Sequence, residues 1–339
     1  MMAFESMLLG IAGGICLDTV LGDPSNKFHP VAWLGHLIGH FVPKLKQNSL
    51  NINSNNHINN TPSYNRKERW RSIIFSLLLI LSFAIGIHFC TMAIVDMLGY
   101  IALTIFCAIT LKTSIAINGM EKHAAAVICA LEKGDLTNAR FSLSMIVKRD
   151  TRNLDEQHII SGTIESISEN IVDGITSPLF YYSFIGPAGA FSFRIINTLD
   201  SMLGYTDKYY RDIGWMPAQL DTVANYIPSR ITALIIVIAA RMVQADWKKS
   251  IQILRRDHSK TSSRNAGYTM AAMAGALRVN LEKIGHYSLG DQYENVSIEK
   301  CKLAISIMRY TVIAFAMIVC TPLITLLYLF GWWRMVFGV

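Results

Sequence analysis

Long apolar blocks alternate with basic polar segments along this chain. The clearest block runs from 72 to 111, and a second runs from 310 to 331. A helix needs about 20 apolar residues to cross a bilayer. The first block therefore predicts two spans, at about 72–90 and 93–111, joined by a tight turn, and the second block predicts one span.

Three weaker apolar segments complete the pattern. Residues 4–22 are interrupted by Asp18, so this span is expected to be imperfect or to pack inside the bundle. Residues 226–243 reach span length only if they are counted from their first aromatic residue. Residues 178–196 are short and broken by Gly and Pro, a pattern typical of re-entrant or site-lining segments. We predict a span or a re-entrant helical pair there.

The remaining segments are polar. Residues 47–65 are an Asn-rich, low-complexity stretch that predicts a disordered loop. Residues 113–176 look helical and amphipathic, with a turn at Gly134 and with Asp135 as the N-cap of the next helix. A second amphipathic region covers about 245–285. The predicted fold class is all-α: a single domain, 1–339, forming a polytopic integral membrane helical bundle with helical cytoplasmic segments.

Composition supports the same class. The chain of 339 residues is 52% hydrophobic and only 16% charged, whereas soluble domains carry about 25% charged residues. Its net charge is +7, and the Lys and Arg residues lie between the apolar blocks. This is the positive-inside bias of membrane proteins, and it predicts that both loops flanking 72–111, and also 241–309, are cytoplasmic. No nucleic-acid-binding module is recognisable, and six cysteines without a CxxC pair predict neither a disulfide frame nor a zinc site.

An acidic stripe is the most informative polar pattern. Glu165, Glu169 and Asp173 are spaced i, i+4 and i+8, so a helix would place them on one face. Three like charges in a row repel unless cations offset them, and magnesium bound to a nucleotide is one suitable partner. The alternative is a solvated helix face paired with Arg or Lys.

Other polar groups sit near the ends of the apolar segments, where they need partners and often mark a site. They are Arg194, Asn197 and Asp200 in one cluster, and Asp221, Asn225 and Arg230 in the other. A helix-capping and packing network is the alternative for both clusters. Arg149 and Arg152 suit phosphate or carboxylate recognition, or else a surface salt-bridge cluster. No P-loop or GxGxxG turn is present, so any ATP site is of another kind.

Several of these stretches together resemble one family. They are Gly22-Asp23-Pro24, His29-Pro30-Val31, Arg149-Asp150-Thr151, Glu165-Ser166, Glu169-Asn170, Asp173-Gly174, Asn197 to Met202, Asp221, Asn225 to Pro228, Arg230, and Asn265 to Gly290. Nearly the whole chain resembles the CobD/CbiB family, the integral-membrane adenosylcobinamide-phosphate synthases of cobalamin (vitamin B12) biosynthesis. Small departures are Lys148 and Arg278, where the family commonly has Gly, and Thr222, where a second Asp is common.

The resemblance implies an ATP-dependent ligase that forms a C–N bond. It would join adenosylcobyric acid to (R)-1-amino-2-propanol phosphate, or to free aminopropanol, and release adenosylcobinamide phosphate. ATP and Mg²⁺ are the cofactors it implies, and the corrinoid, the amine and the membrane are the partners, without nucleic acid. The expected location is the cell inner membrane with a cytoplasmic active site. A homo-oligomer or an assembly with other late cobalamin enzymes stays open.

The residues expected to act follow from their chemistry. The expected catalytic carboxylates are Glu165, Glu169, Asp173, Asp200 and Asp221, of which the first three are also the expected magnesium ligands. The arginines expected to bind phosphates and the carboxylate are Arg149, Arg152, Arg194 and Arg230. The other expected substrate-binding residues are Asp23, His29, Asn170, Asn197 and Asn225.

Two other function classes stay open. A membrane corrinoid transporter would also carry embedded polar residues and broken helices, but it would not consume ATP, and ATP-independent uptake of corrinoid into vesicles would favour it. A non-catalytic membrane sensor of related fold should lack much of the acidic and Asn pattern, which is complete in this chain.

Overall fold

The structure is a computed structural model that describes residues 2–22, 27, 29–46, 65–205 and 207–337. The predicted disordered loop therefore lies outside the described residues except for Asn65, as does the expected substrate-binding residue Asp23. The described part is helical apart from one two-stranded hairpin. The predicted all-α membrane class is confirmed.

The secondary-structure elements fall into three groups along the chain. The first holds α1 Met2–Leu21, α2 Pro30–Lys46, α3 Arg66–Ser114, α4 Ile117–Glu132 and α5 Leu136–Ser144. The second holds α6 Glu156–Asn170, a π-helical turn Ile171–Thr176, α7 Ser177–Ile185, α8 Pro187–Leu203, α9 Trp215–Ala224 and α10 Tyr226–Met242. The third holds α11 Trp247–Asp257, α12 Ala266–Leu277, β1 Leu281–Lys283, β2 Tyr287–Leu289, α13 Ile298–Phe315, a π-helical turn Ala316–Cys320, α14 Thr321–Leu329 and α15 Trp332–Phe337.

Helix α3 is broken at Gly99, whose φ of 78° is readily adopted only by glycine. A straight helix of its 49 residues would be about 73 Å long. Near its start, Ser72 donates a hydrogen bond to the Ile213 carbonyl, and just after its end the Ala116 N–H donates to the Gly174 carbonyl at 3.0 Å. Both ends thus pack against the central helices, so the chain reverses at the break. A reversal was expected, but the turn predicted between residues 90 and 93 is wrong, since the break lies further along.

Three helical stretches of the described chain are long and apolar enough to cross a membrane: Met2–Leu21, Arg66–Glu132 and Ile298–Leu329. Helices α9 and α10, bent by 45° at Asn225, form a fourth candidate together. Only 11% of the most apolar window of Arg66–Glu132 is buried inside the protein. Such a large exposed apolar surface is what a lipid-facing helix requires.

Asp18 interrupts the first span and is fully buried. Its Oδ2 accepts hydrogen bonds from the N–H groups of Ile117 at 2.8 Å and Asn118 at 3.0 Å, at the start of α4. A carboxylate satisfies the unpaired N–H groups of a helix N-terminus and also favours its positive dipole end. Only 33% of the most apolar window of Met2–Leu21 is buried inside the protein, so the segment stays a candidate span, and its one interrupting carboxylate is buried against the start of α4.

The segment 178–196 forms the helical pair α7 and α8, which turns at Gly186 with a φ of 63°. Tyr181 on α7 stacks on Phe193 of α8, with ring centroids 5.5 Å apart. The two helices approach so closely at Gly189 that a Cβ there would lie 2.1 Å from the Tyr181 carbonyl oxygen. The pair is thus a tightly packed hairpin, and it is the turn that directs α8 toward the candidate site.

We expect Gly189→Ala to destabilise the protein because backbone, which cannot rotate away, occupies the space that the methyl group needs. Overpacking of this kind costs about 1–3 kcal/mol. Thermal unfolding followed by tryptophan fluorescence in detergent measures the effect as a lower Tm. Gly86→Ala is the matched control, since no atom lies within 4 Å of a Cβ there and alanine favours helices. Equal Tm values for the two variants would contradict the close approach.

Asp135 and Gly134 form the turn that the sequence predicts between α4 and α5. Gly134 has a φ of 69°, and Asp135 Oδ1 accepts from the N–H of Asn138 at 3.0 Å. The side chain is the N-cap of α5 and satisfies one of the N–H groups that a helix leaves unpaired. The local prediction is therefore confirmed.

Asp257, at the end of α11, holds the C-terminal segment onto the bundle. Its fully buried carboxylate forms ion pairs with Arg256 and Lys260, both at 2.7 Å, and accepts from the Gly290 N–H at 2.8 Å. Burial raises the pKa of Asp257, but the hydrogen bonds from Arg256, Lys260 and Gly290 outweigh it and lower the pKa from 3.8 to about 2. The charged form is therefore the one that the fold stabilises.

A lowered pKa in the folded state predicts a pH-dependent stability. The unfolded chain binds the proton first, so the stabilisation is complete above pH 4 and is lost as the pH falls from about 4 to 2. The size of the loss is on the order of 2 kcal/mol. We expect the unfolding temperature of the wild type to fall more steeply across this window than that of Asp257→Asn. Parallel pH curves for the two proteins would contradict the role of this carboxylate.

Candidate functional site

The predicted acidic stripe begins in the centre of the molecule. Helix α6 is enclosed by its neighbours, and its residues 159 to 168 are all buried. Glu165 lies within this buried part, Glu169 lies one turn later where the helix reaches solvent, and Asp173 lies in the π-helical turn. Such turns often occur at functional sites. The three carboxylates therefore share a helical segment but not an environment.

Glu165 is fully engaged by protein partners. Its Oε1 accepts from Arg149 Nη2 at 3.1 Å and from Ser161 Oγ at 2.9 Å. Its Oε2 accepts from the Tyr287 hydroxyl at 2.6 Å. These contacts attach the loop after α5 and the β-hairpin to α6. The geometry therefore makes Glu165 an anchor for two surrounding segments.

Glu169, Asp173 and Asp200 have the opposite arrangement. None of these side chains forms a hydrogen bond or an ion pair with another described residue, and solvent reaches all three. We call Glu169, Asp173, Asp200 and Asp221 together the acidic cluster. Polar groups left without partners in a folded protein require an explanation, and carboxylates that face one another are a common feature of active sites.

The pKa values of two cluster members reflect this setting. Protein surrounds the Glu169 carboxyl on most sides although solvent reaches it, and this burial raises its pKa above 4.5, while Lys148 opposes the shift. Burial likewise raises the pKa of Asp173 well above 3.8, and the negative charges of Asp221, Glu169 and Asp200 raise it further. Both groups would bind a cation or a proton more readily than an isolated carboxylate.

Asparagines hold Asp221 in the cluster. Its Oδ2 accepts from Asn225 Nδ2 at 3.0 Å, and its Oδ1 lies 3.5 Å from Asn197 Nδ2. Asn225 also accepts from Ser177 Oγ at 2.6 Å. These bonds join α7, α8 and the bend between α9 and α10. The fold thus brings together two polar clusters that are far apart in sequence.

The arginines expected to bind phosphate differ in their availability. Arg149 is paired with Glu165, and Arg152 forms a surface ion pair with Asp150 at 2.6 Å, with its side chain 85% exposed. Arg230 lies between the rings of Tyr226 and Tyr268, at 3.5 and 4.3 Å from their centroids, and donates to Asn265 at 3.1 Å. Arg194 is a half-buried residue of α8 that also has an interaction partner.

Two other expected substrate-binding residues contact their own segments. Asn170 Nδ2 donates to the Ser166 carbonyl one turn earlier at 2.9 Å. His29 Nδ1 accepts from the N–H of Val31 at 3.1 Å, at the start of α2. In this structure both side chains therefore stabilise local backbone, and their expected role toward substrate stays a prediction.

Sequence reasoning missed three side chains of this region: Lys148, Lys283 and Tyr287. Lys148 and Lys283 both act electrostatically on Glu169. Lys148 had a signal in the sequence, since it stands beside Arg149 and departs from the family pattern. Lys283 and Tyr287 lie in the family stretch Asn265 to Gly290, but nothing in the sequence joined them to this site, because their hairpin follows α6 by more than a hundred residues.

A metal centre made by protein ligands alone does not fit this arrangement. Within the described ranges, no three His, Cys, Asp or Glu side chains are grouped so that they could hold a metal ion. The expected ligand Glu165 is occupied by its own partners. Magnesium usually keeps several waters and binds one or two carboxylates together with substrate phosphates. Glu169 and Asp173 fit that mode, in which a nucleotide completes the coordination.

Comparison with known proteins gives a consistent result. A family model described as "CobD/Cbib protein" matches residues 11–317. A "Probable cobalamin biosynthesis protein CobD" of Methanothermobacter thermautotrophicus is 39% identical over 303 residues, which cover 89% of this chain and 93% of the relative. A "Cobalamin biosynthesis protein CobD" of Leptospira interrogans is 39% identical over 300 residues, covering 86% and 90%. No solved structure matches.

Proposed function

The chain belongs to the CobD/CbiB family of cobalamin biosynthesis proteins, and on that premise we propose that it is an adenosylcobinamide-phosphate synthase. It would couple ATP hydrolysis to amide formation between adenosylcobyric acid and aminopropanol phosphate, or free aminopropanol. The site would lie at the cytoplasmic face of the inner membrane, because the segment 247–309 carries eleven Lys and Arg residues against five Asp and Glu residues, and an excess of Lys and Arg marks cytoplasmic segments.

The observation that carries the proposal is the acidic cluster. Glu169, Asp173 and Asp200 have no protein partner among the described residues, although α6, the π-helical turn and α8 hold them close enough to influence each other's charge. Holding these negative charges close together lowers the stability of the fold, and a bound cationic ligand offsets that loss. Magnesium carried by a nucleotide is a ligand of this kind.

Amide formation explains why a carboxylate with a raised pKa is useful there. A corrin carboxylate must first be activated, most simply by attack of its oxygen on the γ-phosphorus of ATP with loss of ADP. The amine nitrogen then attacks the acyl carbon, phosphate leaves, and the nitrogen loses a proton. Glu169 is assigned as the acceptor of that proton, since its raised pKa brings it nearer to the working pH of a general base.

The other residues of the site would orient and bind. Asp173 would hold the magnesium of the nucleotide, which when bound neutralises charge on the phosphates, and Glu169 would stay off the metal so that it can accept the proton. Asn197 and Asn225 fix the Asp221 carboxylate, and the half-buried Asn197 would offer a polar edge to the amide groups of a corrin ring. Asp200 would complete the acidic surface. Glu165 would act indirectly, by keeping the surrounding segments in place.

A product assay tests the proposal. Purified protein in detergent is incubated with adenosylcobyric acid, aminopropanol phosphate and MgATP, and the products are identified by mass spectrometry. A cobinamide phosphate peak that needs ATP is the expected result. If verified substrates and folded protein give no such peak, the ligase assignment fails. ATP-independent uptake of corrinoid by vesicles that contain the protein would then support the rival function, transport.

A further inference from the structure

Lys148 stands beside the acidic cluster on the loop that follows α5. It is exposed, and its Nζ lies 4.9 Å from the centroid of the Tyr205 ring. The next residue, Arg149, is fixed to Glu165 at 3.1 Å, one turn before Glu169. The ion pair of Arg149 with Glu165 thus fixes the backbone position of Lys148. Among the described residues, no Asp or Glu oxygen lies within ion-pair distance of its Nζ.

Lys283 approaches the same place from the β-hairpin. In the antiparallel register it pairs with Tyr287, so the two side chains share one face of the hairpin. The Tyr287 hydroxyl donates to Glu165 at 2.6 Å, and the Glu282 N–H donates to Ser161 Oγ at 3.0 Å. Both bonds fix the hairpin to α6. Within the described part of the chain, Lys283 also forms no ion pair.

Lys148 therefore acts on Glu169, Asp173 and Asp200, and Lys283 acts on Glu169, without an ion pair to any of them among the described residues. Both lysines are near enough to lower the pKa of Glu169, although burial still keeps that pKa raised. Ammonium groups that could pair directly with acids but remain separate leave room for a ligand carrying both signs of charge. A magnesium-bound phosphate fits, since carboxylates take the metal and ammonium groups take the phosphate oxygens.

Three arginines near this site already have partners, so phosphate binding is left to the lysines. Arg149 is paired with Glu165, Arg152 with Asp150, and Arg230 is packed between two tyrosine rings. Moving any of these three onto a ligand would break an existing contact. The two lysines would bind without such a loss.

We infer that Lys148 and Lys283 together bind a phosphate group of a substrate at the edge of the acidic cluster. The inference rests on the proposed function for the identity of that substrate. The phosphate belongs either to the nucleotide or to aminopropanol phosphate, because the two present the same chemistry to an ammonium group.

Direct binding tests the inference apart from turnover. The full-length protein in detergent, with Mg²⁺, is titrated with MgATP, with aminopropanol phosphate and with free aminopropanol. The variants are Lys148→Gln, Lys283→Gln and their double combination. The arginine replacements Lys148→Arg and Lys283→Arg keep the charge, and Lys133→Gln is the matched control, an exposed lysine at the far end of α4.

We expect each glutamine variant to weaken binding of one phosphate-bearing probe by about tenfold or more, as loss of a charge-assisted hydrogen bond does. The arginine variants and Lys133→Gln should stay close to the wild type. An effect on MgATP alone would assign the lysines to the nucleotide, and an effect on aminopropanol phosphate alone would assign them to the amine substrate.

Three outcomes would overturn the inference. They are wild-type affinity for both phosphate probes in the double variant, an equal loss in Lys133→Gln, and an equal loss for free aminopropanol. A wild-type protein that binds the phosphate probes through these lysines but forms no cobinamide phosphate would instead refute the proposed function and leave the phosphate site standing.

Discussion

Glu169→Gln is expected to lower the rate of amide formation by about 10² to 10⁴-fold, the range that a positioned general base contributes. Glutamine keeps the shape of the side chain but cannot accept the proton that the attacking amine must lose. Because the Glu169 side chain has no protein partner among the described residues, the change removes no contact that stabilises the fold. The Tm in detergent should therefore stay at the wild-type value or rise slightly, since a like charge is removed from the cluster.

The measurement is the initial rate of cobinamide phosphate formation at saturating substrates, with Tm determined on the same preparation. Glu156→Gln is the matched control, because it makes the same change at an exposed position in the first turn of the same helix. Full turnover in a well-folded Glu169→Gln protein would contradict the assignment of Glu169 as the general base.

Glu165→Ala, unlike Glu169→Gln, should strongly destabilise the protein. Removing one member of a buried ion pair typically costs 3–5 kcal/mol, about the range expected here, because the other charge is left uncompensated. The side chains of Arg149 and Glu165 are only 13% and 7% exposed. Ser161 and Tyr287 would also lose their acceptor. We expect a large fall in Tm, together with loss of activity, as the loop after α5 and the β-hairpin detach from α6.

A double-mutant cycle separates the ion pair from general damage. Arg149→Met and Glu165→Ala are measured singly and together by thermal or denaturant unfolding in detergent. The double variant should be much more stable than the sum of the single losses predicts, since it leaves no unpaired charge. Strictly additive losses, or a Glu165→Ala protein as stable as the wild type, would show that the pair does not hold these segments.

Glu165 and Glu169 differ in a way that the sequence pattern could not predict. Their spacing placed both on one helical face, and the helix is observed. The spacing could not tell that residues 159 to 168 are enclosed whereas Glu169 reaches solvent. Burial depends on which elements pack over the helix, and those are the loop with Arg149 and the hairpin with Tyr287. The same residue type therefore serves as an anchor at one position and as a candidate catalytic group one turn later.

The sequence alone determined the features that depend on neighbouring residues. Apolar blocks of span length predicted the membrane helices, Gly134 and Asp135 predicted a turn and a cap, and the broken segment at 178–196 predicted a helical pair. Each follows from local rules: one turn of helix, one cap or one stretch of apolar side chains is stable for reasons contained within a few residues. The family resemblance, carried by motifs along nearly the whole chain, added the class of function.

Only the tertiary structure decided which distant groups meet. It placed the reversal of α3 at Gly99, paired Arg149 with Glu165, packed Arg230 between tyrosine rings, and brought Lys283 within electrostatic range of Glu169. None of these follows from local periodicity, because each depends on packing between segments far apart in the chain, where many pairings are compatible with the same local pattern. The fold selects one of them by burying the most apolar surface while giving buried polar groups their partners.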